Sequence, residues 1–241
     1  MITAILVAVI SGYFTMLFAS LYVHRSLTHR SCEFHPVFVH FIRFYLWLTD
    51  GLVIPEWVAQ HRKHHRLSDT ELDPHSPLHL GIAGVAWKSL WQSIWHRYRY
   101  YDTPEEFKYY SKGTPNDWLE LNVYTPNHHL GLFVLLAIDI AFLGWWGLLT
   151  WAIQYMWMPF WGGTVLTGYG HWWGYRNYSI RDNSRNLGPI GIFIAGDELH
   201  NNHHKDPANP KMSHRWFEFD SGWMFLKIFE FLKLATIRNA E

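Results

Sequence analysis

The sequence predicts an all-α membrane protein: a small bundle of about three transmembrane helices plus one interfacial helix, topped by a helical cytosolic cap. Three observations predict it. Met1 to Val23 carries no charged side chain and is long enough to span a bilayer. Residues 130 to 171 form a second long apolar region with no Lys or Arg and one acidic residue, Asp139. The polar stretches around them hold histidines in three short boxes: His24 and His29; His61, His64 and His65; His200, His203 and His204.

Composition narrows the class. At 241 residues the chain suits a single domain. Formal charge is zero, so nothing points to nucleic acid. The 15 tryptophans and 13 tyrosines suit a membrane–water boundary. A mean hydropathy of −0.11 requires that much of the chain lie outside lipid. Cys32 is the only cysteine, which rules out an intramolecular disulfide and cysteine-rich zinc or iron–sulfur sites. It also fits a reducing, cytosolic environment for the soluble part.

Taken in order, residues 1 to 23 lack the basic start and small-residue cleavage site of a signal peptide and read as a retained span. His24 and His29 are five apart, about 140° around an ideal helix. The helix therefore ends or distorts between them, or the two serve different metals. Residues 35 to 54 are apolar enough to cross, but a crossing would put the first two boxes on opposite sides of the membrane. Arg43 and Asp50 also make it a costly span. The segment is expected to lie along the membrane as an interfacial or re-entrant helix.

Residues 55 to 129 form the first part of the cap. Trp87, Trp91 and Trp95 precede Arg97, Arg99 and Lys108, a pattern of short amphipathic helices, and Gly113 to Asp117 reads as a turn before a capped helix start. Residues 130 to 171 are long enough for a tight two-span hairpin at ~20 residues per crossing. Two crossings return the chain to the side it left. Charge gives a separate check: 11 of the 20 Lys and Arg lie between 24 and 129 and 9 after 171. The positive-inside rule places both basic segments, with all three boxes, in the cytoplasm. Residues 172 to 241 complete the cap, and Trp216 to Ile237 is expected to pack as an amphipathic stretch on the cap or the bilayer surface.

In the pattern H-x-x-H-H, positions i, i+3 and i+4 share one helical face, so three imidazoles converge within one turn. Nine neutral imidazoles without an obvious ligand carboxylate could supply four or five ligands to each of two metals. A structural zinc needs only four in all. Imidazole suits zinc, copper, nickel and iron alike. Location favours iron: the site sits at the cytosolic mouth of an apolar bundle, where cutting an unactivated C–H bond needs a redox metal and dioxygen. Asp73, Asp197 and Glu198 are candidates to hold the imidazoles through their free ring N–H; the alternative for each is a surface charge or helix cap.

The three boxes resemble those of the membrane fatty acid desaturases, in particular the acyl-CoA delta-9 (stearoyl-CoA type) branch and its bacterial members. The likeness extends to Glu56-Trp57, Asp73-Pro74-His75-Ser76-Pro77, Gly113-Thr114-Pro115-Asn116-Asp117-Trp118, the run from His171 to Tyr178, Glu198-Leu199-His200-Asn201-Asn202-His203-His204, and Trp216-Phe217-Glu218-Phe219-Asp220. Box three begins with His200 rather than the glutamine of front-end desaturases, which argues against that branch. The resemblance implies a di-iron oxidoreductase that places a cis double bond in a fatty acyl chain, most simply acyl-CoA, with dioxygen and two electrons. The electrons come from a separate carrier of ferredoxin, rubredoxin or cytochrome type and its reductase. Zinc is expected as a substitute in a purified sample. His171 matches the family's ninth histidine ligand. Thr167 stands where the family has an asparagine that holds a metal-bound water. Ala8 and Gly12 match positions that set the depth of the acyl tunnel, and Trp57 is placed on the substrate. The family has two spans before box one and this chain has room for one, so either its N-terminus is short or part of the bundle is absent.

Two rival functions remain at this point. A membrane di-iron lipid or alkane hydroxylase shares histidine clusters but spaces them differently. A metal transporter or metal-binding membrane protein would place polar ligands within the spans, whereas these boxes flank them.

Overall fold

The computed structural model describes residues 1–95 and 103–238. Arg97 and Arg99, expected in the cap's amphipathic helices, lie outside the described residues. Helix α1, Ile2–Phe18, runs without a break into a π-helical segment, Ala19–Thr28. Together they make the one described helix that is long and apolar enough by itself to cross a membrane, and it ends five residues beyond the charge-free stretch. The π segment resolves the spacing of box one. Its i→i+5 bonds, such as His29 N–H to the His24 carbonyl at 3.1 Å, bring residues five apart onto nearly the same face. The Thr28 hydroxyl adds a bond to the Val23 carbonyl at 2.8 Å.

Helix α2, Pro36–Thr49, begins at a His35 cap whose Nδ1 accepts from Val37 N–H. It stops at Asp50 and Gly51. Gly51 has φ +64, and a Cβ there would sit 2.7 Å from the His128 carbonyl oxygen, so the turn needs glycine. Helix α3, Ile54–Leu67, then leaves at 90°. Residues 35 to 54 are thus a helix, a sharp corner and the start of another helix rather than one continuous element. The buried Arg43 on α2 is held by Asp117 at 2.6 and 3.0 Å and by Glu120 at 3.0 Å. These bonds tie α2 to the cap.

Helix α4, Pro77–Trp95, is kinked at Gly81 and packs along a second long π segment, Met158–Gly168. A short helix, α5 (Pro104–Tyr110), packs against α3. Helices α6 (His128–Leu143) and α7 (Trp146–Trp157) form a helical hairpin about Gly144, and α7 continues into the π segment that carries the chain to His171. Helix α7 also packs against α1. Phe142 and Trp145 at the hairpin tip are 84% and 91% exposed, and α1 turns Ile2, Leu6 and Ile10 outward. Apolar side chains at that exposure are what lipid would cover.

The all-α expectation gives way at the C-terminal end. Two small sheets pair β1 (Cys32–Phe34) antiparallel with β4 (Ala235–Ile237), and β2 (Ile190–Gly191) parallel with β3 (Phe219–Asp220). Trp216 to Ile237 is therefore not one amphipathic stretch. It is a strand, the helix α9 (Ser221–Phe231) capped by Asp220, and a second strand that clips the chain end onto the residues after box one. The lock beneath is Arg25, which is 1% exposed and donates to Asp220 at 3.1 and 3.2 Å and to the Ala195 carbonyl at 3.1 Å. Gly222 leaves room for it: a Cβ there would lie 2.0 Å from the guanidinium.

Candidate metal centre

Nine imidazoles meet where the first π segment, α3, the end of the second π segment and α8 (His200–Lys205) converge. They form two groups: His24, His29, His61, His65 and His203, and His64, His171, His200 and His204. Within each group one ligand atom from every ring lies within 4.8 Å of all the others. His24 and His61, which a crossing by residues 35 to 54 would have separated, have ring centroids 4.5 Å apart.

Each H-x-x-H-H box serves both groups. Positions i and i+4 fall close together on a helix, while i+3 lies on the other flank of the same face. Accordingly His61 and His65 enter the first group and His64 the second; His200 and His204 enter the second and His203 the first. The shared face inferred from the spacing is real but faces two neighbouring clusters.

The donors suit a cation. Burial, reinforced by the neighbouring imidazoles, pushes the proton affinity of His61, His65, His200, His203 and His204 well below the ordinary histidine value, so the rings are neutral with lone pairs to offer. Nε2 atoms approach one another at 2.9 Å (His61 and His65) and 3.0 Å (His24 and His203, His65 and His203, His171 and His200). Imidazole nitrogens at ~2.1 Å from a metal, arranged at right angles, stand roughly 3 Å apart. Nε2 of His29 and of His204 is buried and has no hydrogen-bond partner among the described residues. These are orphaned acceptors that a metal ion would satisfy.

Outer carboxylates fix three rings of the second group. His64 Nδ1–H donates to Asp73 at 3.0 Å, His171 Nδ1–H to Asp69 at 2.9 Å and His204 Nδ1–H to Asp182 at 2.9 Å. Each bond leaves Nε2 bare toward the cluster. Burial by itself would raise Asp73 and Asp69, but the histidine beside each overrides it and holds both below the usual carboxylate range. In the first group, Asp197 Oδ2 lies 3.2 Å from His24 Nδ1, at an angle short of a proper hydrogen bond, and Asp197 also accepts from Ser20 at 2.8 Å.

Other sequence candidates are placed differently. Glu198 makes no hydrogen bond or ion pair with a histidine among the described residues; its carboxylate accepts from the backbone N–H of Ile194 and Gly196 and shapes the turn before α8, and burial raises it to about 7. The Thr167 hydroxyl donates to the Gly162 carbonyl at 2.9 Å inside its own helix. Ala8 and Gly12 do not line the cavity described below. A Cβ on Gly12 would lie 2.4 Å from the Trp157 ring, so the missing side chain seats an indole of α7 rather than opening a tunnel.

Sequence reading missed Asp69 and Asp182, whose partners lie 102 and 22 residues away. It also missed the polar frame under α8. Asn202 donates to Glu218 at 2.8 Å and to the Met212 carbonyl at 2.9 Å, and its own carbonyl accepts from Asn177 and Asn186. The signal was only that Asn177, Asn202 and Glu218 lie within motifs named above, with nothing local to pair them.

An apolar cavity abuts both groups. Its wall includes Met16 and Ala19 of the first helix, Leu52, Trp57, Met158 and Leu166, and at the clusters His24, His61, His64 and His200. Trp57 stacks on His61 at 4.9 Å, so the one aromatic assigned to substrate both lines the cavity and supports a ring of the first group.

Comparison with known proteins agrees. The fatty acid desaturase family model matches residues 2–221. The chain is 31% identical over 242 residues to the Delta-9 desaturase-like 3 protein of Arabidopsis thaliana, covering 95% of this chain and 74% of that one. It is 29% identical over 220 residues to the sn-1 stearoyl-lipid 9-desaturase of Anabaena variabilis, covering 88% and 75%. It is 30% identical over 227 residues to the sn-2 palmitoyl-lipid 9-desaturase of Nostoc sp. (strain 36), covering 88% and 73%.

Proposed function

We propose that this chain, which belongs to the fatty acid desaturase family, holds two iron ions through its nine clustered histidines and introduces a cis double bond at the delta-9 position of a saturated acyl chain. That it is an oxidoreductase acting on fatty acyl chains follows from the family. The observation that carries the finer reading is the juxtaposition of two neutral imidazole groups with one apolar cavity. When bound, a redox metal pair supplies the activation of dioxygen needed to remove hydrogen from unactivated methylenes.

The protein's own residues do the rest. The cavity wall excludes water and holds methylenes beside His24, His61, His64 and His200. Asp69, Asp73 and Asp182 fix the tautomer of the rings they touch. Removing two hydrogens from the chain supplies two of the four electrons that reduce dioxygen to water. A separate carrier protein of ferredoxin, rubredoxin or cytochrome type supplies the other two.

We place α1 with its π extension across the membrane and α6 and α7 as a two-span hairpin, with the bent pair α2 and α3 lying along the cytoplasmic face. The basic segments support this orientation. The substrate is an acyl ester or thioester; two of the relatives are named for acyl groups on a lipid.

Expression in a host deficient in unsaturated fatty acids, with mass spectrometry locating any new double bond, tests the reading. A cis alkene at C9 is expected; an alcohol would indicate a hydroxylase, and no product would overturn both. Elemental analysis of the purified chain should give two iron atoms per chain, with zinc in their place after iron-poor growth.

A further inference from the structure

Most polar side chains in the cavity wall are already bonded within the protein. Gln60 reaches His75 at 3.2 Å, Ser20 donates to Asp197 at 2.8 Å and Ser93 to the Leu90 carbonyl at 2.8 Å. Asp50 differs. It ends α2, lines the cavity and is 5% exposed, and its carboxyl makes no hydrogen bond or ion pair among the described residues. Arg43, buried on the helix that Asp50 ends, has its charge paired with Asp117 and Glu120. A carboxyl kept out of water without a cation favours its neutral form, and burial raises Asp50 to about 7. In that form it is a hydrogen-bond donor facing an apolar space. From α4, Ser89 and Gln92 stand three residues apart on one helical face, line the same cavity and also lack a side-chain partner among the described residues.

We propose that Asp50, assisted by Gln92, binds the carbonyl oxygen of the acyl ester or thioester and so sets which pair of methylenes lies beside the histidine groups. The inference rests on the desaturase reading. A saturated acyl chain is methylene throughout, and its carbonyl is the one strong acceptor it can offer such a wall. A hydrogen bond there, made away from water, anchors one end of the chain. The methylenes at the metal groups then lie at a fixed number of bonds from the anchor. Asp50 is thus a positioning residue, acting on regiochemistry rather than on the C–H cleavage.

The test compares double-bond position and KM in the full chain, in membranes, for wild type, Asp50→Asn, Asp50→Leu and Gln92→Leu. Asp50→Leu should raise KM for the acyl substrate roughly tenfold, the loss of about one hydrogen bond, and scatter the double bond over neighbouring carbons. Asp50→Asn keeps a donor and should retain a single position. Gln92→Leu should raise KM by a smaller factor. An Asp50→Leu enzyme with wild-type KM and one double-bond position overturns the proposal. If Asp50→Leu does not accumulate, the other two variants decide: a single position in Asp50→Asn with raised KM in Gln92→Leu supports it, and any other pairing overturns it. A wild type that forms no alkene would sink the desaturase reading itself; an active wild type with unmoved variants would sink only this inference.

Discussion

The two histidine groups are built from the same boxes yet supported differently. The four-ring group has three of its imidazoles locked by Asp69, Asp73 and Asp182. Among the described residues the five-ring group has one carboxylate contact, Asp197 to His24, and is held instead by ring-on-ring packing, with His29 against His65 and His203 at 4.7 Å each. Fewer donors with rigid outer bonds, against more donors with looser ones, are two ways to hold a cation in a buried site. The difference teaches that ligand count and ligand rigidity trade against each other here. It also predicts that the two groups respond unequally to damage.

The largest effect should come from removing a ring. Alanine at any of His61, His64, His65, His200, His203 or His204 should abolish desaturation while leaving membrane insertion intact; a fully active variant would remove that residue from the ligand set. The comparison adds a finer expectation. His204→Ala leaves three nitrogens in its group and should drop bound metal from two ions to about one per chain. His29→Ala leaves four and should retain most of the second ion. Equal losses by elemental analysis would break the distinction.

Next come the outer carboxylates. Asp69→Asn and Asp182→Asn should each weaken metal retention against a chelator by roughly 10- to 100-fold. Asp197→Asn should cost less, because Asp197 bonds Ser20 squarely and His24 only at an angle. A reversed order would show that the five-ring group is the more dependent on its outer contacts. The smallest change is Thr167→Asn. It sits four residues before His171 and lines the cavity, so a longer amide should add a polar donor near the four-ring group. Slower chelator stripping, by a few-fold, is expected from this one substitution; no change would show that the side chain does not reach.

Packing offers a contrast outside the clusters. Gly12→Leu, read from sequence as a change of tunnel depth, instead drives a side chain into Trp157. Overpacking of about 1–3 kcal/mol is expected, visible as a lower melting temperature. An unaltered melting temperature with shorter products would restore the tunnel reading.

Much of this molecule was legible before folding because the relevant signals are local. The spacing of H-x-x-H-H places three rings on one helical face by backbone geometry, and the charge-free first 23 residues fall in the one described helix long and apolar enough by itself to cross a membrane. The distortion between His24 and His29 was required by angle alone. Its form, a π segment, was not, because several backbone geometries satisfy the same requirement.

The sequence by itself determined that histidines would gather beside an apolar bundle. Tertiary structure decided how they divide, which carboxylates hold them and what Gly12 is for. Asp69 and His171 are 102 residues apart, and Gly12 and Trp157 are 145 apart (157 − 12). No local period links such pairs. Only the packing of α1, α3, α7 and α8 brings them within bonding distance, and packing is a property of the whole chain at once.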